Sequence, residues 1–160
     1  MTLRSRPLGI MLLYLMYPAL YILLTNTHRT RVIISSQGKV LFVSGWLSDG
    51  KKTLPGGGIK RGETSKKAAV REVYEETGIK LDIADLLLIA KDLRVKEKGV
   101  GYRADCYQVS IKETLSTKPS HLEILESNWL KLSEVYNSDQ LSMTTNQLLG
   151  AWLDKQHLLD

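Results

Sequence analysis

Residues 57–79 read GGIKRGETSKKAAVREVYEETGI and hold the densest pattern in this 160-residue chain. Thr64 or Ser65 is suited to begin a helix, because a short side-chain oxygen accepts a hydrogen bond from the unpaired N–H groups of the first turn. Gly78 is suited to end it, because glycine adopts the left-handed conformation that closes a last turn without steric cost. The segment therefore predicts a helix that ends near Thr77 and follows a glycine-rich turn.

The predicted helix separates acidic residues from apolar ones. At about 100° per residue, three carboxylates gather on one face: Glu72, Glu75 and Glu76. The opposite side carries Val70, Val73, Tyr74 and Thr77. Like charges four residues apart destabilise a helix, and Arg71, the i,i+4 partner of Glu75, offsets only part of that repulsion. A hard divalent cation would offset the rest, and oxygen ligands without histidine or cysteine favour Mg²⁺ or Mn²⁺ over zinc. A solvated acidic face is the alternative interpretation.

Gly56, Gly57 and Gly58 precede this helix. Glycine lets a phosphate or a metal approach the main chain closely, so the loop is suited to present a backbone carbonyl beside the carboxylates. A bound divalent metal bridges phosphate oxygens and lowers the pKa of a bound water. The pattern thus indicates hydrolysis of a pyrophosphate bond, whereas the glycines alone would indicate only a tight turn.

The rest of the chain predicts a mixed sheet with helices. Ser36, Gln37 and Gly38 separate two short β-branched runs, which is typical of a hairpin. The predicted strands are residues 31–35, 39–44, 81–94, 101–111 and 126–132, and the predicted helical segments are a turn from Ser133 and a helix over residues 145–158. Strands mixed with helices in this way indicate an α/β or an α+β sandwich around a mixed sheet.

Composition narrows the classes of partner. Hydrophobic residues make up 43% and charged residues 24%, which is typical of a folded domain. The single cysteine, Cys106, excludes a disulfide framework and reads as a small core residue in a reducing compartment. The net charge of +5 favours anionic partners only mildly, and the basic residues are scattered, so no nucleic-acid partner is expected.

An apolar segment precedes the domain. Residues 7–24 contain no charged side chain. The length of this segment is near the shortest that allows a helix to cross a bilayer. This segment has three interpretations: it attaches the chain to a membrane, it is a helix packed on the domain or on a second copy in a homodimer, or it is a cleaved signal peptide. The expected division is residues 1–28 for the segment and residues 29–160 for the domain. The expected location is cytoplasmic, at the cytoplasmic face of a membrane if the segment is an anchor.

The stretch around the helix resembles the Nudix hydrolase family, whose box is G-x5-E-x7-R-E-(apolar)-x-E-E-x-G-(apolar). Every position of the box is met: Gly57, Glu63, Arg71, Glu72, Val73, Glu75, Glu76, Gly78 and Ile79. The flanking residues also look like the family's pattern: Trp46, Leu54 and Pro55 before the box, and Glu123, Trp129 and Glu134 after it. The resemblance covers about residues 30–135.

This resemblance implies the α/β/α Nudix sandwich with a mixed β-sheet, and Mg²⁺-dependent hydrolysis of a nucleoside diphosphate linked to another moiety. It implies that Glu72, Glu75 and Glu76 hold the metal, with a carbonyl of Gly57 or Gly58 as a further ligand. Arg71 would then orient the glutamates.

The remaining roles follow from the same resemblance. Glu63 would support the junction of loop and helix, and the general base would be Glu72 or a residue outside the box. Family members often take a further carboxylate from a later loop, for which Glu123 and Glu126 are the candidates.

The substrate contacts are less specific in the sequence. Trp46 is suited to stack on a base, although hydrophobic cover is its commoner role. Lys60 is suited to attract phosphates beside the glycine loop, and a solvated lysine is the alternative. Two other functions stay open: a non-catalytic Nudix-fold sensor that binds a nucleotide, and a membrane-anchored enzyme that acts on a lipid-linked pyrophosphate.

Overall fold

The computed structural model describes residues 27–45, 48, 50–97, 100–118 and 124–157. Its centre is a five-stranded sheet with the strand order β3-β4-β1-β2-β5. The strands are β1 (His28–Ser36), β2 (Lys39–Gly45), β3 (Leu87–Glu97), β4 (Val100–Ser110) and β5 (Ile124–Lys131), and the helices are α1 (Ser65–Thr77), α2 (Leu132–Val135) and α3 (Met143–His157). Strand β1 pairs with β4 in parallel and the other pairs are antiparallel, which confirms the expected mixed sheet.

Helices cover both faces of the sheet. Successive side chains of a strand point to opposite faces, so Val32 and Ile34 pack on one side with Val73 of α1. Ile33 packs on the other side with Leu148 of α3. All these side chains are fully buried, so the central strand lies between two apolar layers in an α/β/α sandwich.

Helix α1 begins and ends at the expected residues. The Thr64 side chain accepts a hydrogen bond from the Lys67 N–H, and Gly78 adopts a left-handed conformation with φ of 75°. Val73 and Thr77 are buried and Val70 packs against the same core cluster, which confirms most of the predicted apolar face. Tyr74 is the exception, because 46% of it is exposed and the expected place in the core is therefore wrong.

One strand was expected too early. The prediction placed a strand over residues 81–94, but a 3-10 turn occupies Ile83–Asp85 and β3 begins at Leu87. Asp82 explains the difference, because its side chain accepts a hydrogen bond from the Ala84 N–H and stabilises the turn. The other predicted elements agree with the structure to within three residues at either end.

The hairpin of β1 and β2 is confirmed but short. Gln37 and Gly38 form its turn with positive φ angles, as type I′ turns require. The two strands pair only at Ser35 with Val40 and at Ser36 with Lys39. Most of β2 pairs with β5 rather than with β1. The first half of β1 is bridged instead by the glycine loop, where Arg29 pairs with Gly58.

Cys106 is fully buried, in agreement with its expected place in the core. Residues 7–24, Trp46 and Glu123 lie outside the described residues, and what the sequence predicts for them stays a prediction. Within the described ranges, no helix has the length and apolar character needed to span a membrane.

Candidate active site

The glycine loop lies along the first half of β1. The Val32 N–H donates to the Pro55 carbonyl and the Thr30 N–H donates to the Gly57 carbonyl, each at 2.9 Å. Gly56 has φ of 139°, and a Cβ at this position would collide with the Thr30 carbonyl oxygen. Main-chain hydrogen bonds and a close backbone approach that only glycine permits therefore fix the path of the loop.

Arg71 connects the loop to the acidic face of α1. Its Nε and Nη2 atoms bind the two carboxylate oxygens of Glu63 at 2.9 Å each, in the bidentate arrangement that suits a guanidinium. Its Nη1 atom donates to Glu72 at 2.6 Å and to Glu75 at 3.0 Å, while Nη2 also reaches the Gly58 carbonyl at 3.0 Å. One side chain thus gathers three carboxylates and the loop at a single point.

The Arg71 pairs shift two pKa values. Hydrogen bonding from Arg71 lowers the pKa of Glu63 to about 2, so this carboxylate stays charged throughout the physiological range. The hydrogen bonds that Arg71 donates to Glu63 raise the pKa of the Arg71 guanidinium above its usual range, against the effect of burial. Glu63 and Arg71 therefore form a permanently charged pair beneath the loop.

Glu76 contacts the loop from its other end. Its Oε2 atom accepts a hydrogen bond from the Gly56 N–H at 2.8 Å. The carbonyl of the same glycine accepts a hydrogen bond from Nη1 of Arg31 on β1. Burial alone would lower the pKa of Arg31, but nearby Tyr102 and Glu76 raise it, so the guanidinium stays charged.

The structure brings most of the predicted residues together. The Arg71 guanidinium contacts the carboxylates of Glu72 and Glu75 and the carbonyl of Gly58 in the glycine loop. The Glu72 carboxylate lies so close to Gly57 that a Cβ built on this glycine would be 2.5 Å from it. Lys60 places its ammonium 3.9 Å from Glu75 with two thirds of its side chain exposed.

Two predicted ligands have other contacts. The Gly57 carbonyl, named as a metal ligand, accepts a hydrogen bond from Thr30, and the Gly58 carbonyl accepts one from Arg71. Glu126 is exposed on β5, where its carboxylate accepts a hydrogen bond from Asn128 at 3.5 Å. Its role as an additional carboxylate stays a prediction.

The donor set fits a divalent metal, although the carboxylates are arranged around a guanidinium. Among the described residues, no three histidine, cysteine or acidic side chains converge as a ready metal site. Arg71 is the reason, because it binds the carboxylates of Glu72 and Glu75. With Glu63 and Glu76, the cluster holds four carboxylates beside the cations of Arg71 and Lys60. Arg29 and Arg31 of β1 lie near Glu72 and Glu76, so it is the carboxylate oxygen donors of the cluster, rather than its net charge, that suit a hard cation.

Sequence reasoning missed the two arginines of β1. Arg29 places its guanidinium 5.2 Å from the ring centroid of Tyr102, a cation–π contact, and Arg31 binds Gly56. Burial lowers the pKa of Arg29, and the charge of Arg31 adds to that effect. Two arginines at alternating positions leading into a buried apolar run were the available signal, because burying such charges requires compensating partners.

A family model described as NUDIX domain matches residues 25–149. The chain belongs to the NUDIX domain family. It is 31% identical over 140 residues to nucleoside diphosphate-linked moiety X motif 6 of Xenopus laevis, in an alignment that covers 81% of this chain and 62% of the relative. The chain spans 24%, 62% and 21% of the lengths of three curated relatives that it matches.

Solved structures share the Nudix fold. MutT NUDIX hydrolase from Burkholderia pseudomallei superimposes with a TM-score of 0.68 at 20% identity, over 79% of this chain and 98% of that one. A bifunctional NMN adenylyltransferase/ADP ribose pyrophosphatase from Francisella tularensis, complexed with AMP and a Mn ion, gives a TM-score of 0.67 at 18% identity, over 88% and 46% of the two chains. These likenesses confirm the predicted fold class.

Proposed function

We propose that this chain is a Mg²⁺-dependent pyrophosphohydrolase that cleaves a nucleoside diphosphate linked to another moiety, with Mn²⁺ as the alternative metal. The observation that carries the proposal is the set of three carboxylates around Arg71, with a fourth, Glu76, on the N–H of Gly56 in the adjoining glycine loop. The name of the Xenopus laevis relative, nucleoside diphosphate-linked moiety X motif 6, supports this substrate class. The Mn ion of the Francisella tularensis enzyme supports a divalent metal.

Glu72, Glu75 and Glu76 are the proposed metal ligands, and the Gly57 carbonyl is a further candidate through its second lone pair. A divalent metal bound there would polarise the phosphoryl oxygens and lower the pKa of the attacking water. Glu72 is 16% exposed and packs on Gly57, so its carboxylate has a defined position from which to serve as metal ligand or general base.

The proposed role of Arg71 is that of a counter-ion that holds the glutamates in place before the metal is bound. Because Glu63 binds this guanidinium in a bidentate manner, Arg71 keeps its position when a cation binds to Glu72 and Glu75. Glu63 is therefore a positioning residue. Lys60, exposed at the edge of the cluster, is the proposed contact for a substrate phosphate.

The proposal also covers parts of the chain outside the described residues. Trp46 remains a candidate for stacking on the substrate base, and Glu123 remains a candidate for the additional carboxylate, as does Glu126 on β5. We place the enzyme in the cytoplasm. If residues 7–24 bind a membrane or a second copy of the chain, it acts at the cytoplasmic face or as a homodimer, and a lipid-linked pyrophosphate becomes a second substrate class.

Turnover of a panel of nucleoside diphosphate derivatives, with Mg²⁺ and with a chelator, tests the proposal. Glu76→Gln removes one proposed ligand without changing its shape, and Glu113→Gln is the matched control because Glu113 is exposed outside the cluster. We expect loss of turnover with the chelator and in Glu76→Gln, and wild-type turnover in the control. Tight nucleotide binding without turnover on any substrate would instead support the non-catalytic sensor.

Mn²⁺ binding measured by electron paramagnetic resonance gives a second readout that does not need the substrate. The wild-type chain and Glu113→Gln should bind the ion, and Glu76→Gln should bind it at least about tenfold more weakly, because a carboxylate ligand is lost. Equal binding by all three proteins would place the metal elsewhere.

A further inference from the structure

Tyr102 of β4 lies on the same face of the sheet as the two arginines of β1. Arg29 pairs with Ala104 in the parallel β1–β4 register, so these two side chains share one face. Arg31 and Tyr102 are each two residues away from this pair on their own strands, so alternation places them on that face as well. Tyr102 is only 6% exposed, and a buried phenol hydroxyl needs partners inside the protein.

The Tyr102 hydroxyl has partners on three other elements. It lies 3.2 Å from Oε2 of Glu97 at the end of β3 and 3.3 Å from Oγ1 of Thr144 in the first turn of α3. Burial lowers the pKa of Arg31, and hydrogen bonding with the Tyr102 side chain is one of the interactions that raise it. A hydroxyl has one hydrogen and two lone pairs. It therefore donates to the carboxylate of Glu97 and accepts from Arg31 and Thr144, which uses all three.

The ring of Tyr102 contacts the second arginine. The Arg29 guanidinium lies 5.2 Å from the ring centroid, in a cation–π contact. The two guanidiniums repel each other, since the charge of Arg31 adds to burial in lowering the pKa of Arg29. Tyr102 thus binds Arg29 through its ring and Arg31 through its oxygen, and holds two like charges near each other. The carboxylates whose charge acts on the two arginines are Glu72, Glu76 and Glu97.

Arg31 connects Tyr102 to the glycine loop. Its Nη1 atom donates to the Gly56 carbonyl, and the Gly56 N–H donates to Oε2 of Glu76 at 2.8 Å. Because one residue makes both hydrogen bonds, a shift of the Gly56 carbonyl would also displace the N–H that holds Glu76. A continuous chain of hydrogen bonds therefore leads from the Tyr102 hydroxyl through Arg31 and the loop to a proposed metal ligand.

We propose that Tyr102 is a positioning residue of this hydrolase: its hydroxyl holds Arg31 against the glycine loop, and the loop holds Glu76 where it binds the metal. This inference rests on the proposed function, because Glu76 is a proposed ligand. It also connects helix α3 to the metal site, through Thr144. Outer partners of metal ligands change metal affinity or activity by about 10–100-fold when they are removed, and we expect an effect near the lower end because Tyr102 acts through Arg31.

Tyr102→Phe is the first test, because it removes the hydroxyl and keeps the ring that contacts Arg29. Mn²⁺ binding, measured by electron paramagnetic resonance, should be about tenfold weaker than in wild type. Tyr107→Phe is the matched control, because Tyr107 is on the same strand, is 7% exposed and packs on the other face with Val73. This control should bind Mn²⁺ as wild type does, and melting curves show that both variants are folded at the assay temperature. Equal Mn²⁺ affinity in wild type and Tyr102→Phe would overturn the inference.

The Mg²⁺ dependence of turnover distinguishes a positioning role from a merely structural one. In Tyr102→Phe, half-maximal turnover should require about tenfold more Mg²⁺ than in wild type, while the KM of the substrate at saturating Mg²⁺ stays within about twofold. A merely structural role would reduce the amount of active protein, which lowers the whole curve and leaves its midpoint in place. An unshifted midpoint would therefore count against the inference.

Amide hydrogen exchange tests the loop without metal or substrate. The Gly56 N–H should exchange about tenfold faster in Tyr102→Phe, because its bond to Glu76 opens more often. The Val43 N–H, which donates to the Thr53 carbonyl at 2.9 Å, should exchange as in wild type and so exclude a general loss of stability. Unchanged exchange at Gly56 would contradict the inference.

A double-mutant cycle tests whether the hydroxyl acts through Arg31. Arg31→Gln removes the charged link between Tyr102 and the Gly56 carbonyl. In that background, Tyr102→Phe should weaken Mn²⁺ binding by less than about twofold further, because residues of one hydrogen-bond network are not additive. A second loss of about tenfold would show that the hydroxyl acts by another route and would overturn the inference.

These measurements separate the inference from the proposed function. If wild type hydrolyses a nucleotide derivative and Tyr102→Phe changes neither Mn²⁺ binding nor Gly56 exchange, the inference is wrong and the proposed function stands. If Tyr102→Phe accelerates Gly56 exchange but wild type neither binds Mn²⁺ nor hydrolyses any compound, Tyr102 still positions the loop and the hydrolase is refuted.

Discussion

Substituting Gly57 with alanine tests the position of Glu72 with a single added methyl group. The backbone of Gly57 is outside the left-handed region, so alanine adopts its conformation without strain. The new Cβ would lie 2.5 Å from the carboxyl carbon of Glu72 and 2.8 Å from its Oε1 atom, whereas an ordinary contact is at least 3.4 Å. The Glu72 carboxylate must therefore move by about 1 Å, and a displacement of this size at a catalytic group costs about 100-fold in rate.

The matched control is the next residue. Gly58→Ala adds the same methyl group where no heavy atom lies within 4 Å, so it should lose far less activity than Gly57→Ala. The measurement is kcat/KM on the best substrate of the nucleotide panel, together with the melting temperature of each variant. Because both substitutions reduce the entropy of the unfolded chain, neither should lower the melting temperature by more than a few degrees. If Gly57→Ala keeps half or more of the wild-type kcat/KM, the position of Glu72 in this structure is not the catalytic one.

Three further predictions follow from the same structure. Arg71 lowers the pKa of Glu63 from 4.5 to about 2, so the stability that this pair contributes is present above pH 4.5 and is lost as the pH falls toward 2. In urea unfolding, wild type should be more stable than Glu63→Gln at pH 6, and this difference in unfolding free energy should narrow steadily below pH 4.5. A difference that does not change with pH would contradict the ion pair as its source. Thr64→Ala removes the N-cap of α1 and should lower the unfolding free energy by about 1 kcal/mol. Thr64→Ser should lower it less, because serine keeps the hydroxyl, and equal losses in the two variants would exclude the cap as the cause. Burial raises the pKa of the Cys106 thiol to about 12, so a thiol reagent at pH 8 should label it only after denaturation, and fast labelling of the folded chain would show that β4 opens.

The parts of the site that the sequence predicted are those fixed by local spacing. Thr64 and Gly78 identify the ends of α1 because capping depends on residues within a single turn. The contact of Arg71 with Glu75 follows from helical geometry, because the two residues are one turn apart, whereas the contact of Arg71 with the adjacent Glu72 does not follow from it. The resemblance to the family box gave Glu63 only a supporting role at the junction of loop and helix, and its bidentate pair with Arg71 was not predicted.

The parts that could not be predicted depend on long-range pairing. The cation–π contact of Arg29 with Tyr102 depends on the parallel pairing of β1 with β4 across more than 70 residues. No local pattern encodes the register of a parallel pair, because hydrophobic alternation alone leaves shifts by two residues equally good. Tyr74 was misplaced for a related reason, since the wheel gives the angle of a side chain but not the extent of the sheet beneath it.

The path of the glycine loop limits how this site can diverge. Residues 55–57 bind β1 through main-chain atoms, so the loop behaves as a short extra strand whose every residue has a fixed partner. Inserting one amino acid between Pro55 and Gly57 would exchange inward and outward positions and separate Gly56 from both Arg31 and Glu76. The centre therefore tolerates exchange of side chains outside the loop, while changes in the length of the loop would separate its parts.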